Sequence, residues 1–221
     1  MIGRCTSAKV EKALQRLKGI LPLGERQIEI GGELRELHQQ VLRSFVTRGR
    51  MLTRQEMSQQ VSNLDHAIDV LSRCELVIFS GDGEPVGAYP FTMEAREHRV
   101  QVNGYQVHAM CALDALAVSP MFGMATRIDS RCAVSAERVC ILQSGRTIEN
   151  PDAAGELHMG IAWGAADPDA RCADSLCRQM IFLRDGNIAR QWLAADASNR
   201  EIFTLPQALE FAERLFVPLM S

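Results

Sequence analysis

The sequence predicts an α+β protein in which a helical N-terminal module, residues 1–90, precedes a mixed, mainly antiparallel sheet core with flanking helices, residues 91–221. Three observations predict it. Apolar residues recur at helical spacing through the first third. From Pro90 the pattern changes to short alternating segments separated by turn residues. Asn103-Gly104, flanked by alternating residues in "HRVQVNGYQVHA", is the strongest hairpin signal in the chain.

The elements follow in order. Leu34, Leu37, Val41, Leu42 and Phe45 mark a first helix that stops at the punctuation of Arg48–Arg50. Thr53 with Glu56 forms a capping-box pattern that opens a short helix through Val61. "SNLDHAIDVLSRC" places Leu64, Ile68 and Leu71 on one stripe of a third helix. "LVIF", the turn "SGDGEP" and "VGAY" then give strand, turn and strand. Three helices and a hairpin make the outline of a winged helix, which binds DNA in many proteins and is also a common packing module. Beyond residue 90, the Asn103-Gly104 hairpin leads into a helix that carries Cys111 and Asp114. "ATRIDSRCAVS", "RVCILQS", "LHMGIAW", "RQMIFLR" and "REIFT" are predicted strands, and "NPDAAGE" and "GAADPDAR" are predicted loops. "LPQALEFAERLF" is a closing helix with Pro206 in its first turn.

Composition limits the function classes. With 221 residues, 47% hydrophobic and 23% charged, the chain has enough apolar material for a substantial core. A formal charge of −3 gives no electrostatic case for nucleic acid or an anionic membrane as partner. The predicted third helix carries Asp65 and Asp69, poor chemistry for facing phosphates. No apolar run is long enough to span a bilayer, and charged residues break up the N-terminal stretch where a signal-peptide core would lie. The expected location is the cytoplasm.

Seven cysteines, an odd count without a secretion signal, do not suggest a disulfide framework. They also lack the CxxC spacing of a structural zinc site. The simplest role for any one of them is that of a small buried hydrophobe. Cys111 and Asp114 differ because residues three apart on a helix share a face. The plain alternative is that Asp114 faces water and Cys111 the core. If the two do meet, the carboxyl can take the thiol's proton and, in a dry pocket, hold it near neutrality for return. His108 lies three residues before Cys111, but none of the five histidines sits in a motif that marks a cysteine-hydrolase base.

The stretch "HAMCALDALAVSPMFGMATRIDSRCAVSAERV" resembles the core of the organomercurial (alkylmercury) lyases. Cys111-Ala112-Leu113-Asp114 matches that family's helix motif, and Cys132-Ala133 a later cysteine whose role looks structural. "DSLCRQMIFLRD" resembles the second active-site segment, with Cys177 at the matching position. Trp192, "EIF" and "PQALEFAERL" follow the family's C-terminal order, so the likeness covers roughly residues 98 to 216.

The resemblance implies a lyase that cleaves the carbon–mercury bond by protonolysis. Cys111 and Cys177 would bind mercury and Asp114 would transfer the proton, giving a hydrocarbon and Hg(II). Soft thiolates suit this soft cation. No cofactor is implied. Organomercurial small molecules are the expected substrates, and external thiols or a mercuric reductase the expected acceptors of Hg(II). Met110, where the family often has an aromatic, and Arg178, where well-known members have another cysteine, are departures that bear on substrate range or rate. Cys172, in a polar stretch, ranks behind Cys177 as a thiol ligand; Cys5, Cys74 and Cys140 are assigned to packing or surface. The ten methionines are expected to fill the core. The alternative is a non-catalytic soft-metal binder or metal-responsive regulator that uses the same thiols.

Overall fold

Helical periodicity in the N-terminal third produces five helices in the computed structural model, which describes residues 7–221: α1 (Ala8–Ile20), α2 (Leu23–Ile30), α3 (Gly32–Arg48), α4 (Arg54–Ser58) and α5 (Leu64–Arg73). Cys5 lies outside the described residues. The stripe Leu37, Val41, Leu42 and Phe45 is the buried face of α3. That helix ends at Gly49, whose φ of 69° is the left-handed C-cap conformation that glycine adopts without strain. The α4 cap is reciprocal: Glu56 N donates to Thr53 Oγ1 at 3.2 Å, and Thr53 N donates to Glu56 Oε2 at 2.9 Å. α4 stops at Ser58, short of the expected Val61, because Gln59 and Gln60 turn in solvent while Val61 folds back into the core.

The expected strand–turn–strand is β1 (Ile78–Phe79) and β2 (Pro85–Ala88). β2 pairs with β3 (Phe91–Thr92), so the sheet runs on across residue 90. β4 (Arg99–Val102) and β5 (Tyr105–Ala109) form the hairpin, with Asn103 and Gly104 at φ 50° and 81°, as a two-residue type I′ turn requires. β6 (Ala125–Arg131), β7 (Arg138–Ser144) and β8 (Thr147–Ile148) complete an eight-stranded antiparallel sheet in the order β1-β2-β3-β5-β4-β6-β7-β8. A second, three-stranded antiparallel sheet places β9 (His158–Ala162) between β10 (Met180–Leu183) and β11 (Arg200–Thr204).

Beyond residue 90, two helices depart from the sequence reading. "NPDAAGE", expected as loop, contains the single turn α7 (Pro151–Ala154), which the N1 proline favours. α8 (Gly186–Ala194) was not anticipated, although Asp185 caps it by accepting from Asn187 N and Ile188 N at 2.8 and 2.9 Å. Its Trp192 lies across Gly160, where an added Cβ would come within 2.8 Å of the indole. The closing helix is α9 (Leu205–Phe216).

Between the eight-stranded sheet and α9 runs α6 (Ala112–Phe122), which also touches β10. Ala112–Ser119 are all buried, as expected for a helix apolar on every side. Pro120 cannot donate to the Leu116 carbonyl. Buried Gln143 on β7 donates to that carbonyl through Nε2 at 2.9 Å, and to Gly145 O at 2.8 Å. Among the described residues no helix is long and apolar enough to cross a membrane.

Candidate active site

Cys111 sits where β5 ends and α6 begins. It is the N-cap residue rather than a member of the helix, with φ −152° and ψ 179°. Its Sγ occupies the place of a capping oxygen and accepts from Asp114 N at 3.4 Å. The three-residue spacing therefore works as a cap. It turns the thiol toward the helix N-terminus, where negative charge on sulfur is favoured.

The second segment is a pair of 3-10 turns, Cys172–Asp174 and Leu176–Gln179, that lead into β10. It delivers Cys177 so that its sulfur, the Cys111 sulfur and an Asp114 carboxylate oxygen all lie within 4.8 Å of one another. All three residues are buried, at 1% exposure for Cys111 and Asp114 and 3% for Cys177. The Met180 sulfur lies 3.7 Å from Cys111 Sγ, so one methionine borders the cluster. Met110 is buried against Gly87, where an added Cβ would meet its Cε at 2.8 Å.

Burial dominates the electrostatics. It pushes the Asp114 carboxyl up to about 7, against the pull of the Cys111 thiol and the Arg96 charge. Asp114 Oδ2 has no hydrogen-bond partner, so an ionised carboxylate there is poorly compensated. Burial likewise pushes the Cys111 thiol up to about 12. The neighbouring Cys111 and Cys172 thiols, together with burial, raise Cys177 well above the ordinary thiol range. The resting site is thus two neutral thiols beside a carboxyl that can hold or release a proton near neutral pH.

Three features of this site revise or add to the sequence reading. Cys172, ranked behind Cys177 because its stretch is polar, is buried with its sulfur 3.6 Å from Cys177 Sγ. The flanking Arg171 and Asp174 are exposed, but the 3-10 turn directs the thiol inward. Arg96 ties the two segments together: Nη1 donates to Met110 O at 3.3 Å and to Ala173 O at 3.1 Å. Buried Tyr89 accepts from Ala173 N through its hydroxyl at 2.7 Å. A lone arginine and a lone tyrosine carry no motif, so only the folded chain shows these contacts.

Other candidates lie apart from the cluster. His108 is tied through Nδ1 to the Arg96 main chain. Cys132 is buried in the turn between β6 and β7, where its Sγ accepts from Ser135 N at 3.4 Å. Cys74 and Cys140 are half-buried. Arg178 is exposed and faces Asp174 at 3.8 Å, so this departure points to solvent.

Known proteins resemble this chain in sequence and in fold. The alkylmercury lyase family model, MerB, matches residues 91–217, more than half of the chain. An alkylmercury lyase of Pseudomonas putida is 26% identical over 101 residues, 46% of this chain and 46% of that protein. One from Staphylococcus epidermidis is 28% identical over 141 residues, 62% and 61% of the two chains. The matched portions thus span 46% and 61% of the two relatives' lengths, less than two thirds of either. The crystal structure of the mercury-bound form of MerB2 shares the fold, with a TM-score of 0.71 at 20% identity over 90% of this chain and 98% of that one. The family match spans both segments of the cysteine cluster, and the chain belongs to the alkylmercury lyase family.

Proposed function

We propose that the protein cleaves the carbon–mercury bond of organomercurials, releasing a hydrocarbon and Hg(II). The observation that carries the proposal is the convergence of two buried thiols with a buried carboxyl, which burial pushes up to about 7.

The chemistry follows from these groups. Mercury in R–Hg–X replaces the proton of the Cys111 thiol; ionised Asp114 accepts that proton and X leaves as X⁻. The helix N-terminus supports sulfur as its negative charge develops. Cys177 then adds its sulfur to the same mercury. Donation from two sulfurs enriches the carbon end of the Hg–C bond; Asp114 passes the proton it took from Cys111 to carbon and takes up the proton of Cys177, which it later gives to solvent. The Hg–C pair becomes the new C–H bond, leaving Hg(II) across Cys111 and Cys177, and no atom changes its proton or electron count without a partner. A single thiolate would bind an organomercurial without activating it in this way. The scheme draws on no resident cofactor. Turnover requires outside thiols, or a mercuric reductase acting as acceptor, to remove Hg(II), in keeping with a cytoplasmic setting.

The test is hydrocarbon release from phenylmercury or methylmercury in excess thiol. The wild type is expected to release hydrocarbon and Hg(II) in equal amounts. Asp114→Ala is expected to bind organomercurial stoichiometrically without turnover. Undiminished turnover in Cys177→Ser would overturn the proposal. Binding without hydrocarbon in the wild type would favour a soft-metal carrier.

A further inference from the structure

Cys111 and Cys177, as a pair, would hold Hg(II) tightly in a closed site, and exchange at mercury requires a third sulfur to approach the metal. Small thiols in solution do not readily reach a cluster whose members are at most 3% exposed. Cys172 is placed to solve this problem. Its sulfur already touches that of Cys177 at 3.6 Å. Cys172 is itself only 3% exposed, as Cys177 is, but it forms part of the wall of a cavity of about 380 Å³, with Ile20, Arg26, Glu75, Ala166 and Pro168, between the N-terminal helices and the loop before the cluster.

The position of Cys172 is fixed on several sides. Cys172 N donates to Glu75 Oε1 at 3.2 Å, and Glu75 is held by Arg26 Nη1 at 3.0 Å. The next residue is gripped at both polar ends, Ala173 N by Tyr89 and Ala173 O by Arg96. Contacts this numerous around one short turn are more than a buried hydrophobe needs.

We propose that Cys172 is the exit thiol for Hg(II), taking the ion from Cys111 and presenting it to small thiols in the adjoining cavity. The first step is an exchange without redox change. The Cys172 sulfur bonds to mercury, the Cys111–Hg bond breaks, and the proton leaving Cys172 passes to Cys111. Mercury then bridges Cys172 and Cys177. Two incoming thiols repeat the exchange, each giving its proton to the cysteine it displaces, and Hg(SR)₂ departs through the cavity. The source of Hg(II) rests on the lyase reading, but the exchange does not.

The experiment therefore loads the full chain with Hg(II) directly and follows its loss to glutathione by rapid desalting and mercury analysis. Cys172→Ser and Cys172→Ala are both used, since alanine suits a buried site even if a serine hydroxyl does not. Release at least tenfold slower in both variants, with Cys140→Ser at the wild-type rate, is the expected result. Release from both Cys172 variants at or above the wild-type rate overturns the proposal. Hydrocarbon formation is measured separately, so its absence would count against the lyase reading alone.

Discussion

Replacing Arg96 tests whether the site is assembled from two segments that need a clamp. In the wild type one guanidinium nitrogen donates to Met110 O and Ala173 O, which flank Cys111 and Cys172 on their separate segments. A hydrogen bond from a charged donor contributes about 1.5–3 kcal/mol. One nitrogen serves both carbonyls, so the pair is worth less than twice that, and Arg96→Ala should cost about 3 kcal/mol. The Glu94 ion pair at 2.9 Å adds little, because its carboxylate is exposed. Loss of the arginine charge also moves the Asp114 carboxyl further upward. Arg96→Lys keeps the charge but not the planar guanidinium, and should recover about half of the stability. Urea denaturation gives the stability; Hg(II) retention against a competing thiol reports whether Cys111 and Cys177 still converge. The variant should show weaker retention and lower turnover. Arg96→Ala with stability within about 0.5 kcal/mol of wild type and undiminished retention would refute the clamp.

Other consequences can be checked in the same way. His38 and His98 are buried bases, both pushed down to about 4 chiefly by burial, while in the unfolded chain they titrate near 6.5. The unfolded state therefore binds more protons between these values, and each group contributes stability that is complete above pH 6.5 and falls by up to about 3 kcal/mol as the pH drops through 4. Urea midpoints should fall across that window; a flat profile would contradict it. Gln143→Leu should cost about 2 kcal/mol by leaving Leu116 O unsatisfied, and less in a Pro120→Ala background, which restores a helical donor. Equal costs in both backgrounds would show that the carbonyl is not the cause. Asp114→Asn should lower turnover at least 100-fold yet gain stability relative to wild type as pH rises from 4 to 7. Over that range the native carboxyl, held up at about 7, becomes progressively more costly to keep buried. Parallel stability profiles for the two proteins would refute this.

Much of the fold was legible where local rules and packing agree. The α3 stripe, the Thr53–Glu56 cap and the Asn103-Gly104 hairpin needed only periodicity and turn chemistry. α8 was missed because its cap, Asp185, precedes Gly186 and Asn187, which resemble a turn more than a helix start. Sequence reasoning singled out Cys111, Asp114 and Cys177, which the fold brings together. It placed Cys111 inside a helix, whereas the thiol caps it. It undervalued Cys172 because exposed neighbours obscure the direction of a side chain in a 3-10 turn. Arg96 and Tyr89 act across long sequence separations through carbonyl and amide groups that every residue has, so residue type gives no hint of them.

Anomalous diffraction from crystals soaked briefly in an organomercurial tests the central claim most directly. One mercury site is expected bonded to both Cys111 Sγ and Cys177 Sγ, with the Asp114 carboxyl beside it, once the carbon fragment has left. Mercury bound away from Cys111 and Cys177, or a lone Cys111 adduct that persists with its organic group intact in the wild type, would contradict the account.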